Sequence, residues 1–347
     1  MVTLLTILFG SYAAGILLPL CVPRTPAMQA LAAHLPALAA TSAGIVLGLA
    51  GLTAADPLTA SLASSIPLLT FAIRLDALAG LFLLVISLVG LAAAIYAIGY
   101  VRHLYGRVSV PILGALFNAF LCAMTLVVIA DNGLFFLIAW EMMSLISYLL
   151  VVTEHAKPDV RHAGFFYLVM THIGTAFIVV TFLLFFQQGP TFSFEAFRHA
   201  EQPLPESLRT VAFLAALIGF GSKAGIVPLH VWLPYAHPAA PSHISALMSG
   251  VMIKTAIYGL LRVSFDFLGG QFPSWWGFTI LVIGAVSAVL GVMYALMEHD
   301  LKRLLAYHSV ENIGIILLGV GAGMLFHAYG LDELAADRKS TRLNSSH

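Results

Sequence analysis

The stretch that decides the fold runs from Leu217 to Pro234, LIGFGSKAGIVPLHVWLP. Its length suits one membrane crossing, which takes roughly 20 mostly apolar residues. Two features do not suit an unbroken apolar helix. Lys223 lies in its interior, where burying an ionisable side chain costs at least ~2.5–3.5 kcal/mol and such residues usually mark an ion path. Pro228 and Pro234 interrupt the stretch, and Pro238 and Pro241 follow at once. A proline leaves the carbonyl four residues back without its helical partner, so Pro228 is expected to free Ala224, beside Lys223, and Pro234 to free His230. Gly219, Gly221 and Gly225 loosen the same segment. Broken helices persist at membrane depth only where their loose groups face protein or water, and ion sites are built at such breaks.

The rest of the chain agrees that the surroundings are lipid. Of 347 residues, 60% are hydrophobic and only 9% charged, 16 Lys and Arg against 16 Asp and Glu. A soluble domain carries about a quarter charged residues, and a mean hydropathy of +0.97 points the same way. The chain is expected to be an all-α, polytopic bundle of transmembrane helices. A formal net charge of zero excludes a basic face for nucleic acid. Cys21 and Cys122 lie about a hundred residues apart in apolar stretches and form no CxxC, too few thiolates for an iron–sulfur cluster. They read as small buried hydrophobes. The apolar run from Val2 to Val22 has no basic n-region and is long enough to span, so it reads as a first membrane helix and not as a signal peptide.

Ten spans follow from hydropathy: 2–22, 28–52, 75–100, 109–130, 132–153, 162–187, 208–234, 243–265, 275–297 and 302–326. The polar segment 191–207, with Glu195, Arg198, Glu201 and Glu206, reads as a short surface helix. With the N-terminus outside, Arg24, Arg102, Arg107, Lys157, Arg161, Lys302 and Arg303 fall in cytoplasmic loops. Only Arg74, Arg198, Arg209 and Arg262 fall in outer ones. Positive-inside bias therefore predicts the N-terminus outside. The last ten residues, 338–347 (RKSTRLNSSH), are polar and without period. They are expected to be an appended tail, with the natural chain continuing in further helices beyond 337.

Two more charges lie inside spans, Glu141 in LFFLIAWEMMSLISYLL and Lys254 in SALMSGVMIKTAIYGLL. The alternative to an ion path is a buried ion pair that locks helices, or side chains that snorkel to the surface; placement in mid-span argues against the latter. Histidines number 13, and a file of them can hand protons along near neutral pH. His172, His230, His237, His243 and His308 lie in or beside spans, and Glu311 stands one turn from His308 on the same face. Each histidine alone is as well explained by packing. A haem held by His230 and His243 is disfavoured, because Pro234, Pro238 and Pro241 keep them off one helix. No GxGxxG follows a strand, and no residue is assigned to covalent catalysis, a cofactor or a metal.

The segments WEMMSLISYLLV (140–151), GFGSKAGIVPLHVWLPYAHPAAPSHISALMSGVMIKTAIYGLLR (219–262) and EHDLKRLLAYHSVENIGIILLG (298–319) resemble the antiporter-like, proton-translocating subunits of respiratory complex I, of multisubunit Mrp-type cation/proton antiporters and of group 4 hydrogenases. PLHVWLPYAHP and LLAYHSVENIGI favour the hydrogenase branch. The resemblance covers about residues 76–325 and implies a fold of about fourteen helices with two inverted five-helix repeats. The first repeat would be 109–265, after a three-helix region 1–108, and the second would begin at 266–337 and stay incomplete. The resemblance also implies that Glu141 pairs with Lys223 on the broken seventh helix and that Lys254 continues the path. His230, His237, His172, His308 and Glu311 would accompany it. The chain would be a non-redox, proton-translocating subunit of a redox-driven complex, with no catalytic redox centre or cofactor of its own. Its partners would be other membrane subunits and a soluble hydrogenase or quinone-reducing arm, and it would lie in a prokaryotic plasma membrane. The alternative is the Na⁺/H⁺ antiporter subunit of a multisubunit antiporter.

Overall fold

The computed structural model describes residues 2–22, 25–189, 191–200, 204–269 and 273–331. The tail 338–347, Arg24 and Glu201 lie outside these residues. The chain opens with α1 (Val2–Cys21) and α2 (Pro26–Thr53), then a hairpin of β1 (Leu58–Ala63) and β2 (Thr70–Leu75). Helices α3 (Ala77–Tyr100), α4 (Val110–Ile129), α5 (Gly133–Val151) and α6 (Pro158–Phe186) follow. After the short α7 (Phe194–Arg198) come α8 (Glu206–Ala224), α9 (Leu233–Ala239), α10 (Ser242–Leu247) and α11 (Ile253–Leu261). The chain closes with α12 (Ser274–Met297) and α13 (Leu301–Ala328). Elements α10 and α11 belong to one continuous span, Ser242–Phe267, in which Met248–Met252 and Arg262–Phe267 are π-helical.

Among the described residues, nine helices are long and apolar enough to cross a membrane, and they coincide with nine of the ten expected spans. The tenth, 208–234, is not one helix: it is α8, a turn and α9. The chain is a multi-span membrane protein. The hairpin departs from the all-α expectation. Its strands pair antiparallel, Leu58 opposite Leu75 and Ala63 opposite Thr70. β1 (LTASLA) alternates only weakly, through small residues, and β2 (TFAIRL) does not alternate, so the pair does not register as period two. The hairpin delivers Asp76 to the start of α3, where its carboxylate accepts the Ala79 N–H at 2.9 Å and caps the helix.

Helices gain little from hydrophobic association in lipid, so they pack through small residues and buried polar contacts. In α4, Asn118 Nδ2 donates to the carbonyls of Gly15 in α1 (3.2 Å) and Ala33 in α2 (2.7 Å). Along α12, Gly277, Gly284 and Gly291 face α13 so closely that a Cβ on Gly284 would stand 2.8 Å from the Leu318 nitrogen. The aromatic core lies between α5, α6 and α8, where Trp140 and Phe136 stack and Phe220 meets both edge-on.

Candidate functional site

The break that positions Lys223 is made by Gly225. Its φ of +76° is left-handed, a conformation only glycine adopts at little cost. The Gly225 and Ile226 N–H groups both donate to the Gly221 carbonyl, at 2.9 and 3.1 Å. The helix therefore stops one residue after Lys223, and the backbone beyond it is satisfied from within the protein. Trp232 Nε1 donates to the Ser222 carbonyl at 2.9 Å, and the Val227 N–H donates to Ser287 Oγ of α12 at 3.0 Å. Farther on, Lys302 Nζ donates to the carbonyls of Ala240 (2.9 Å) and Pro238 (3.4 Å) at the end of α9. The two prolines act differently from the expectation. Pro228 lies in the turn, outside any helix, so it frees no helical carbonyl. Pro234 sits in the first turn of α9, where a missing N–H costs nothing, and the His230 carbonyl accepts the Leu233 N–H at 2.9 Å.

Lys223 is 1% exposed. Its Nζ donates to Tyr167 Oη of α6 at 2.7 Å and to Ser144 Oγ of α5 at 3.0 Å, and it lies 4.9 Å from the centre of the Tyr167 ring. The expected ion pair with Glu141 is not made directly. Glu141 turns toward α6, where His172 Nε2 is 3.4 Å from its Oε2, while its Oε1 is buried without a partner. The physical reason is that Ser144, one helical turn along α5 from Glu141, and Tyr167 of α6 hold the ammonium instead. His172 Nδ1 bonds the Leu168 carbonyl at 2.9 Å, which requires its N–H. Nε2 then faces the carboxylate favourably only if a proton sits between them, on one group or the other.

Lys254 Nζ donates to the Ser249 carbonyl at 2.5 Å, and Ser249 Oγ meets Ser309 Oγ of α13 at 2.6 Å. That carbonyl belongs to the π-helical stretch Met248–Met252, which aims it away from a regular i→i−4 ladder. His237 is buried, with Nδ1 3.4 Å from Ser245 Oγ and Nε2 unpartnered. His230 stacks on Tyr294 of α12 with 6.4 Å between ring centres. His308 Nδ1 and Glu311 Oε2 meet at 2.6 Å on α13. Two pairs of the expected residues thus meet, Glu141 with His172 as an ion-pair contact and His308 with Glu311 as a hydrogen bond, while Lys223 and Lys254 are held by groups outside the expected set.

Ser144, Ser147, Tyr167, Ser249 and Ser309 were missed because hydroxyl residues are common in membrane helices. One signal did exist: Ser144 stands one turn after Glu141, and Ser147 one turn after Ser144. A second omission is a charged network at the end of α11. Arg262, placed in an outer loop by the charge count, is 5% exposed inside the span Ser242–Phe267. It bonds Asp76, and it bonds Asp266 at 2.5 Å. Arg198 of α7 bonds Asp131 at 3.1 Å, and Arg74 of β2 bonds Glu195 at 3.0 Å. Burial alone would push the Asp76 carboxyl up, but the hydrogen bond and charge of Arg262 hold it below its ordinary value of 3.8. Burial pushes Asp131 above that value.

The fold is that of a multi-span membrane protein with a helix broken beside a buried lysine. Residues 130–331 match the family described as NADH:quinone oxidoreductase/Mrp antiporter, TM, and residues 67–108 match NADH-Ubiquinone oxidoreductase (complex I), chain 5 N-terminus. The chain belongs to this proton-antiporter family. It is 44% identical to hydrogenase-4 component B of Escherichia coli (strain K12) over 254 residues, 73% of this chain and 37% of that protein. It is 36% identical to formate hydrogenlyase subunit 3 of the same organism over 260 residues, 75% of this chain and 40% of that protein. The chain thus spans well under half the length of these relatives. In fold it superposes on a chain of the Mrp complex from Dietzia sp. DQ12-45-1b with a TM-score of 0.78 at 23% identity, covering 96% of this chain and 36% of that one.

Proposed function

We propose that this chain is the proton-translocating part of a subunit in a redox-driven membrane complex of the hydrogenase-4 or formate hydrogenlyase type. The observation that carries the proposal is Lys223, a lysine sealed in the bundle at the end of a broken helix. Only a group that gains and loses a proton, or is held by a compensating charge, is stable there. Identity of 44% to hydrogenase-4 component B supports the branch. Lys223 takes and releases the proton, Glu141 with His172 sets its electrostatic surroundings, and Lys254 receives it across the seam between α8 and α11. His237 and His230 flank that transfer, and His308 with Glu311 continue it along α13. The chain supplies no electrons. A soluble hydrogenase or quinone-reducing arm would provide the driving energy, and other membrane subunits would complete the path. The membrane is the plasma membrane of a prokaryote, with the N-terminus outside.

The family description also names Mrp antiporters, so the test separates the ions. The intact complex is placed in liposomes and turned over with its electron donor while internal pH and sodium are followed. Acidification that persists without sodium is the expected result. Acidification that requires sodium and is matched by opposite sodium flow makes the chain a Na⁺/H⁺ antiporter subunit.

A further inference from the structure

Lys223 is a buried ammonium that bonds no carboxylate, and the groups it does bond form an ordered set. A serine hydroxyl has one hydrogen and can accept from another donor at the same time. Ser144 Oγ donates its hydrogen to the Trp140 carbonyl at 3.0 Å, so toward Lys223 it is an acceptor. Ser147 Oγ donates to the Met143 carbonyl at 2.7 Å, so toward Tyr167, at 2.5 Å, it is also an acceptor. Tyr167 then gives its hydrogen to Ser147 and has a lone pair left for Lys223. Two chains result: Lys223 to Ser144 to the Trp140 carbonyl, and Lys223 to Tyr167 to Ser147 to the Met143 carbonyl. Every hydrogen in them points away from the lysine, and both end on backbone carbonyls of α5. The Tyr167 ring adds its π face.

We propose that Ser144 and Tyr167, oriented by Ser147, are positioning residues that form a station for the Lys223 ammonium, set one turn of α5 away from Glu141. This rests on the proton-translocation reading and says what holds the lysine while it bonds no carboxylate. Three residues along α5 separate Ser144 from Glu141, about 4.5 Å of helix rise, within the swing of a lysine stem. Glu141 Oε1, buried and without a partner, is the acceptor left open when the lysine stands at the cradle. The cradle is not a proton wire, because a backbone carbonyl has no hydrogen to pass on. It binds the ammonium with neutral dipoles alone, and the third N–H of Lys223 is the one through which the proton departs.

The test measures proton uptake by membrane vesicles carrying the intact complex, together with infrared difference spectra across turnover using ring-deuterated tyrosine. Tyr167→Phe and Ser144→Ala should each slow uptake about tenfold, the loss of roughly one hydrogen bond to a charged group. Ser144→Thr, which keeps the oxygen, should restore it. The wild-type spectrum should contain a phenol C–O change that is absent in Lys223→Gln. Lys223→Ala separates the two levels of the proposal: normal uptake in it overturns the functional reading itself. If Lys223→Ala abolishes uptake while Tyr167→Phe and Ser144→Ala run at the wild-type rate, the cradle is overturned and the reading stands. Should those variants fail to accumulate, the wild-type spectrum decides, and a phenol band unchanged across turnover overturns the cradle.

Discussion

At the scale of the residue, the scarce charges were legible and their partners were not. Lys223, Glu141 and Lys254 announce themselves because an ionisable group in an apolar run is expensive. What each one touches depends on the rotation and depth of three helices, and no local pattern encodes that. Glu141 faces His172 across 3.4 Å, while Lys223 bonds Ser144, one turn along α5 from Glu141, and Tyr167. Arg262 illustrates the opposite error. Placed near a span end, it counted as a loop charge, yet it is buried between Asp76 and Asp266. Asp76→Asn, which leaves Arg262 short of a carboxylate, should destabilise the protein by about 3 kcal/mol at neutral pH, read as a lower midpoint in thermal unfolding in detergent. The pH dependence has a defined sign. The Asp76 carboxyl is held below its unfolded value of 3.8. Its contribution is therefore present above that value and lost as pH falls through the lowered one. Asp131, pushed up by burial, acts oppositely, its contribution being full below 3.8 and lost as pH rises through the raised value.

At the scale of the element, the break was expected from its prolines and is produced by its glycine. A proline is a visible breaker in sequence, whereas a helix-ending glycine is known only when its φ is. Gly225→Ala places a Cβ at a φ of +76°, which costs about 1–2 kcal/mol. The variant should lower the thermal midpoint and slow proton uptake, because the stop beside Lys223 moves. Pro228→Ala, in the turn and outside any helix, should leave the end of α8 where it is, seen in the position of Lys223 by cryo-electron microscopy. The seam of α12 and α13 is a second test. Gly284→Leu puts side-chain atoms where the Leu318 nitrogen and the Gly314 carbonyl already stand, 2.8 and 2.9 Å from its Cβ. It should separate these helices and reduce the complex that accumulates in the membrane. The hairpin escaped notice because TFAIRL of β2 has no apolar–polar alternation and LTASLA of β1 only a weak one.

At the scale of the whole molecule, composition alone gave a multi-span helical membrane protein, and nine of its spans follow from hydropathy. Orientation rests on seven Lys and Arg against three once the buried Arg262 is set aside, and Cys21 tests it, being exposed at the end of α1. In a Cys122→Ser background, a membrane-impermeant maleimide should label Cys21 in inverted vesicles and not in right-side-out ones; the reverse pattern puts the N-terminus inside. The central claim is that Lys223 carries protons, and one measurement tests it most directly. Proton uptake is recorded in vesicles bearing the intact complex, wild type against Lys223→Ala, with electron transfer through the complex monitored in the same sample. Uptake per electron should collapse while the variant still assembles. Uptake per electron equal to that of the wild type would contradict the claim.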